Sequence, residues 1–451
     1  MSAPASPAAA SGARLKRSLG LWDLVFYGII LIQPTAPMPL FGVVSVEARG
    51  HVVTTVLIAM VAMLFTAISY GRMAHAYPSA GSAYTFVGRE IHPAMGYLTG
   101  WGMVMDYMIV PIICTIWASK AAGNILPVVP YHGWIVFFAM LFTVLNLQGI
   151  RFAARTNEIL IAGMGVVIVW FLAAAVRHLM GLPELPASFF TRPFYDPAHF
   201  SYQALFTGTS IAALTYIGFD GISTLSEEVR NPRRNVLLAT VLTCLISGAR
   251  ASVEVYTAQL IWPHPEPFPD PDTAYVHVAG RAGGVVLFQV MNFTLLVASL
   301  GSGMGGQLAA GRLLYGMGRD NAIPKSFFGV IEPRHGIPRN NILFLGVMIL
   351  AGSSALSYQL GAELLNFGAF IAFMGVNLSA FLHYYVRKPE KKLVNFFPPL
   401  LGFLICLYIW LSLRPLAKIV GASWVALGVI YGAGKTGGFR RNPVTFELPP
   451  E

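Results

Sequence analysis

The sequence predicts an all-α integral membrane protein of twelve transmembrane helices, and three observations carry that expectation. Of 451 residues, 55% are hydrophobic and only 11% charged, where a soluble domain carries roughly 25% charged residues. Apolar runs long enough to cross hydrocarbon about 30 Å thick, which takes ~20 helical residues, recur along the chain. The basic residues are distributed unevenly between alternate connections, as topology requires.

The chain opens with an Ala, Ser and Pro tail over residues 1–20, with a basic cluster at Arg14, Lys16 and Arg17. No small-residue cleavage site precedes the first apolar run, so that run reads as an uncleaved span. Spans follow at 22–46, 52–72, 92–118, 131–148, 156–178 and 201–225, then at 236–262, 283–316, 341–358, 361–385, 396–413 and 417–432. They group into a first five-helix unit (21–180), a second (200–386), helices 11 and 12 (395–432) and a C-terminal tail (433–451).

Twelve crossings put both termini on one side. With both inside, 22 of the 30 Lys and Arg fall on the cytoplasmic side, which agrees with the positive-inside rule. The net charge of +10 is then a topology signal facing anionic lipid, not a nucleic-acid surface. These features place a multi-pass protein in a plasma (inner) membrane.

Cys114, Cys244 and Cys406 all lie in apolar runs, which offers neither a disulfide framework nor a zinc cluster. No loop exceeds about 25 residues, and none holds a phosphate cradle, a metal-ligand set or a nucleophile elbow. No cofactor, enzymatic centre or ATP-driven motor is expected. Residues 263–282, with five prolines alternating with acids and aromatics, read either as a stiff lid or as a structured linker.

Two spans are interrupted. Lipid offers a backbone no hydrogen-bond partners, so a broken helix is tolerated only where it lines a cavity or is buried in protein. Span one carries Gln33-Pro34-Thr35-Ala36-Pro37-Met38-Pro39; its prolines remove N–H donors and clash with the preceding turn. Span six carries Tyr216-Ile217-Gly218-Phe219-Asp220-Gly221, where a carboxylate in lipid costs several kcal/mol (~3) unless it faces a polar interior. Interruptions at matching places in two five-helix halves point to a midplane transport site worked by alternating access.

The remaining intramembrane charges each admit two readings. Asp106, beside Tyr107 in span three, either pairs with a substrate ammonium, with the Tyr107 ring adding a cation-π face, or serves as a structural acceptor. Asp220 either contributes to the site or caps the lower half-helix. Arg250 and Glu254, four apart in span seven, form either a structural ion pair or a proton-coupling site. Glu227 and Glu228, at the inner end of span six, are expected in a gate. Tyr216, Phe219 and Trp101 are candidate walls, and the small residues Gly301-Ser302-Gly303 and Gly305-Gly306 of span eight are expected to permit close helix approach, with Ser302 also a candidate oxygen donor to an ion.

Four stretches carry a family resemblance: Tyr77-Pro78-Ser79-Ala80-Gly81-Ser82-Ala83-Tyr84 with Gly96-Tyr97-Leu98-Thr99-Gly100-Trp101; Gly218-Phe219-Asp220; Glu227-Glu228 with Asn231-Pro232-Arg233-Arg234; and Arg312-Leu313-Leu314-Tyr315-Gly316-Met317-Gly318-Arg319-Asp320 with Pro324. Their order and spacing over residues 20–430 resemble the amino acid-polyamine-organocation (APC) superfamily. The Asp106-Tyr107 pair and the proline-bearing first span are most similar to its putrescine-importer-like permeases. The resemblance implies the leucine-transporter type of 5+5 inverted repeat, plus two C-terminal helices, with helices 1 and 6 broken. It implies a secondary active transporter that takes up an amino acid or polyamine, proton-coupled, with an exchanger or a channel as alternatives. The implied substrate site comprises Gln33, Thr35, Ala36, Asp106, Tyr107, Tyr216, Gly218, Phe219, Asp220 and Gly221.

Two departures qualify that likeness. Span one lacks the family's Gly-Ser-Gly break, and prolines leave only the N–H groups of Thr35, Ala36 and Met38 to hold a carboxylate, which adds weight to an amine-rich cargo. Span five has Met164 where some proton-coupled relatives place a lysine.

Overall fold

The computed structural model describes residues 19–77, 82–148, 154–183, 186–226, 228–332 and 336–440. Among them the chain is helical, its only β pairing being two isolated bridges. The first half runs α1 (Leu21–Ile32), α2 (Phe41–Glu47), α3 (Val52–Ala76), α4 (Ser82–Glu90), α5 (Pro93–Ile125), α6 (Tyr131–Leu147) and α7 (Ala154–Met180). It continues with α8 (Tyr202–Ala212), two 3-10 segments (Ala213–Tyr216 and Phe219–Leu225), α9 (Pro232–Ile261), α10 (Ala274–Arg319) and α11 (Lys325–Phe328). The last four are α12 (Arg339–Ala355), α13 (Tyr358–Phe381), α14 (Leu393–Leu411) and α15 (Pro415–Thr436).

Among the described residues, eight helices are long and apolar enough to cross a bilayer, fewer than the twelve spans expected. The other four expected spans fall on shorter helices: α1 has 12 residues, α8 has 11, and α6 and α12 have 17 each. Both expected interruptions are present. Turns separate α1 from α2 over residues 33–40, and α8 gives way to 3-10 geometry that is itself broken at Ile217 and Gly218.

At 46 residues, α10 exceeds any bilayer crossing at 1.5 Å per residue. Gly284, with φ 76° and ψ −171°, kinks it near its start. The rod before the kink is a packed element, with Ala274, Tyr275, Val276, Val278 and Ala279 all buried. The proline-rich segment leading into it is tied down as well. Lys120 reaches Asp270 at 3.1 Å and Asp272 at 2.7 Å, and the Trp117 indole donates to the Asp272 carbonyl at 2.8 Å. Residues 263–282 therefore form a fixed cover over the end of α5.

The interior is built along α5, which packs against α10 and α13, while α3 packs along α9. The approach of α5 to α13 depends on glycine. A Cβ at Gly368 would sit 2.5 Å from the Gly102 carbonyl oxygen, a separation no side chain tolerates. That contact seats α5 one turn before Asp106.

Candidate functional site

A cavity of about 520 Å³ opens where the two breaks face each other. Its walls come from both breaks and from α5, α7, α10 and α13. The breaks meet backbone to backbone: Gly218 has φ 122°, and a Cβ there would lie 3.0 Å from the Leu31 carbonyl carbon. Conformation and space both demand glycine at this point.

Each break leaves helix-end carbonyls without intrahelical partners, and polar side chains from other helices take them up. The Asn366 amide donates to the carbonyls of Ser210 and Ile211 at 2.7 and 3.2 Å, near the end of α8. Arg250 donates to the Gln33 carbonyl, at the end of α1, at 3.2 Å, and to Glu254 Oε1 at 2.5 Å. A cation at a helix C-terminus also complements the helix dipole. The Arg250–Glu254 pair thus touches the first break without lining the cavity.

Of the three backbone donors expected to face cargo in span one, two are spent within the break itself. The Ala36 N–H donates to Gln33 at 3.3 Å and the Met38 N–H to Thr35 at 3.0 Å. Among the described residues only the Thr35 N–H remains of that set. This break is a poor cradle for a carboxylate.

Gln33, Thr35, Ala36, Asp106, Tyr107, Gly218, Asp220 and Gly221 all line the cavity, as do Met164 and Ser302. Asp106 is 8% exposed, and among the described residues its carboxylate has no hydrogen-bond or ion-pair partner. Asp220 is held by backbone N–H groups, that of Gly218 at 3.3 Å. Among the described residues, no Lys, Arg or His lines the cavity. Two carboxylates therefore share one cavity with no basic side chain among the described residues of its wall.

Three expected wall residues point elsewhere. Tyr216 is fully buried and donates to the Val56 carbonyl at 2.9 Å. Phe219 packs edge-on to Tyr70 and tilted against Phe373, ring centroids 5.5 Å away in each case. The reason is 3-10 geometry, in which residues three apart eclipse one another: Gly218, Gly221 and Thr224 line the cavity while Phe219 and Ile222 turn into the core. Trp101 stacks on Trp424, remote from the breaks. Glu227 lies outside the described residues. Glu228 is half-buried and off the cavity, its carbonyl accepting from Leu19 N–H at 3.1 Å.

Sequence reading missed the aromatic part of the wall. Tyr27, Trp117 and Tyr358 line it, together with Thr224 and Ser299. A signal for Trp117 was present, because Asp106, Val110, Ile113 and Trp117 follow one another at helical spacing. The small residues of α10 divide by role. Gly303 and Gly306 pack tightly on Phe142 and Val110, whereas added Cβ atoms at Gly301 and Gly305 would meet nothing within 4 Å.

Beyond the spans, the turn after α2 docks on the connection between α7 and α8. His51 Nε2 accepts from the Asp196 N–H, and His199 Nδ1 lies 3.0 Å from Asp196 Oδ2. The hydrogen bond from His199 lowers the Asp196 pKa below its ordinary value.

Sequence comparison extends over the same chain. The family described as amino acid permease matches residues 22–446. The chain is 34% identical over 448 residues to the low-affinity putrescine importer PlaP of Escherichia coli (strain K12), with 96% of each protein covered. It is 26% identical to the branched-chain amino acid permease BcaP of Bacillus subtilis (strain 168), with 94% of each covered. Identity to the vacuolar cationic amino acid transporter 4 of Arabidopsis thaliana is also 26%, over 83% of this chain and 64% of that protein.

Proposed function

This chain belongs to the amino acid permease family, a family of transporters and not of enzymes, and from that premise we propose that it imports a cationic amine, with a diamine as the best-matched cargo. One observation carries the choice: Asp106 and Asp220 line a common cavity whose wall holds no basic side chain among the described residues. A buried charge needs a counter-charge, and two ammonium groups would supply it at both carboxylates. The rings of Tyr27, Tyr107, Trp117 and Tyr358 in the same wall suit alkyl ammonium groups as well. The relative that imports putrescine supports this reading, while the scarcity of free N–H donors at the first break weighs against an amino acid carboxylate.

The transport cycle we propose is alternating access within twelve spans arranged as two inverted five-helix units (21–180 and 200–386) plus helices 11 and 12 (395–432). The termini face the cytoplasm, and Glu227 and Glu228 belong to the gate on that side. Glu254 carries the coupling proton and Arg250 sets its charge balance, since this pair joins a buried carboxylate to the end of α1. Met164, in the cavity wall, offers no charge to do the same work.

The deciding experiment is uptake into proteoliposomes together with thermal stabilisation of the purified protein. Putrescine should stabilise more than lysine, and lysine more than leucine, with a pH gradient driving accumulation above equilibrium. Stabilisation by leucine and not by putrescine would overturn the cargo assignment. Counterflow without any gradient-driven accumulation would make the protein an exchanger.

A further inference from the structure

A second cavity, of about 150 Å³, lies between α5, α10, α12 and α15, away from both breaks. Its wall is apolar throughout. Val104 and Met108 line it from α5, Leu314 and Met317 from α10, and Phe344 from α12. The side facing α15 is aromatic, and its polar edges are already consumed: the indole N–H groups of Trp101 and Trp424 donate to each other's carbonyls at 2.9 and 3.0 Å. Only ring faces remain for a guest. An apolar space of this size stays dry and accepts apolar guests, and left empty it forfeits dispersion contacts around its whole lining.

What surrounds the cavity identifies the guest. On α12, Leu343 and Val347 are exposed, and on α15 Leu427 and Ile430 are exposed, an aliphatic surface that suits membrane hydrocarbon. At one end of the cavity the chemistry changes. Lys435 lies 6.0 Å from the ring centre of Tyr431, a wall residue, and donates to the backbone and side-chain oxygens of Asn321. Lys325 is exposed and directly follows the wall residue Pro324. Arg319 pairs with Asp320 at 3.0 Å, so the one acid in this stretch is already neutralised.

We propose that this crevice holds an anionic phospholipid, a segment of one acyl chain seated in the cavity and its head group against Lys435 and Lys325. The tail alone gains little over bulk lipid, because bilayer hydrocarbon is as apolar as the wall. Selectivity therefore resides in the head group, while the cavity fixes the position. The site is independent of the cargo cavity.

The test is native mass spectrometry of the detergent-purified protein titrated with phosphatidylglycerol or with phosphatidylcholine. Phosphatidylglycerol should be retained in preference, one molecule per chain. Lys435→Gln should weaken its retention by about fivefold, as expected for one basic side chain at an anionic lipid surface. Lys435→Arg, which keeps the positive charge, should restore it. Leu314→Phe, which fills the cavity, should reduce retention of both lipids. Equal retention of the two lipids in the wild type, or no loss in Lys435→Gln, would overturn the proposal, and the latter variant decides alone if Leu314→Phe does not fold. A two-chain species lost in Leu314→Phe with lipid retention unchanged would also overturn it, assigning the crevice to a second copy.

Discussion

The carboxylates inside this molecule fall into two populations. Glu90, Glu254 and Glu363 are all 0% exposed, and each has an arginine beside it: Arg387 at 2.7 Å, Arg250 at 2.5 Å and Arg414 at 2.7 Å. Asp106, buried, and Asp220, partly buried, sit in the central cavity, where no basic side chain among the described residues lines the wall. Where the fold uses a buried acid as a fastener, it supplies the counter-charge from the chain. In the cavity the counter-charge is missing, and on our reading the cargo brings it. Fasteners and cargo groups should then respond oppositely to neutralisation.

The largest effect belongs to the fasteners. Arg414 bonds Glu363 of α13 and lies 3.8 Å from Glu47 at the end of α2, which also accepts from Gln359 at 2.6 Å. Arg414→Gln leaves Glu363 buried and unpaired, and removing one partner of such a pair costs about 3–5 kcal/mol. Because Arg414 is partly exposed, the lower end of that range is expected, read as a fall in melting temperature of the purified protein. Next come Asp106→Asn and Asp220→Asn. Each should weaken diamine binding by the worth of a charged hydrogen bond, about 1.5–3 kcal/mol, while the melting temperature without cargo stays level or rises. A marked loss of unliganded stability in either variant would move that aspartate into the fastener population and erase the distinction.

Much of this contrast was legible before any coordinates. Pro34, Pro37 and Pro39, and Gly218 with Gly221, marked the breaks, and the acids in apolar runs stood out against a charge-poor background. Side-chain direction beyond the second break was not legible. Once Gly218 turns the chain into 3-10 geometry the facing set repeats every three residues, so Gly218, Gly221 and Thr224 line the cavity while Phe219 leaves it. Counting by helix length alone gives fewer spans, since α1 and α8 are cut short by the breaks and α10 merges a packed rod with the longer helix beyond Gly284. Pairing could not be read at all for distant partners: Glu363 and Arg414 are 51 residues apart, and Glu90 and His383 are 293 apart.

Glu254 tests whether the two populations overlap, since it is paired yet proposed to carry a proton. In Glu254→Gln the hydrogen bond to Arg250 survives in neutral form, so the stability cost should be modest, about 1 kcal/mol. Gradient-driven accumulation should disappear while putrescine counterflow persists. Unchanged accumulation in proteoliposomes would leave Glu254 a fastener and nothing more.

The smallest effect lies outside the spans, at Asp196. The hydrogen bond from His199 depresses its pKa, so the native state favours the ionised form. Such a group contributes stability above the ordinary carboxylate pKa, and the contribution is lost as pH falls through the depressed value. Asp196 is only partly shielded and its partner His199 is 36% exposed, so solvent screening limits the effect to about 0.2–1 kcal/mol. Asp196→Asn should therefore lower the melting temperature slightly near pH 6, and the gap from wild type should close below pH 4. A gap that persists unchanged at pH 3 would mean that Asp196 acts there through shape and backbone docking to His51, not through its charge.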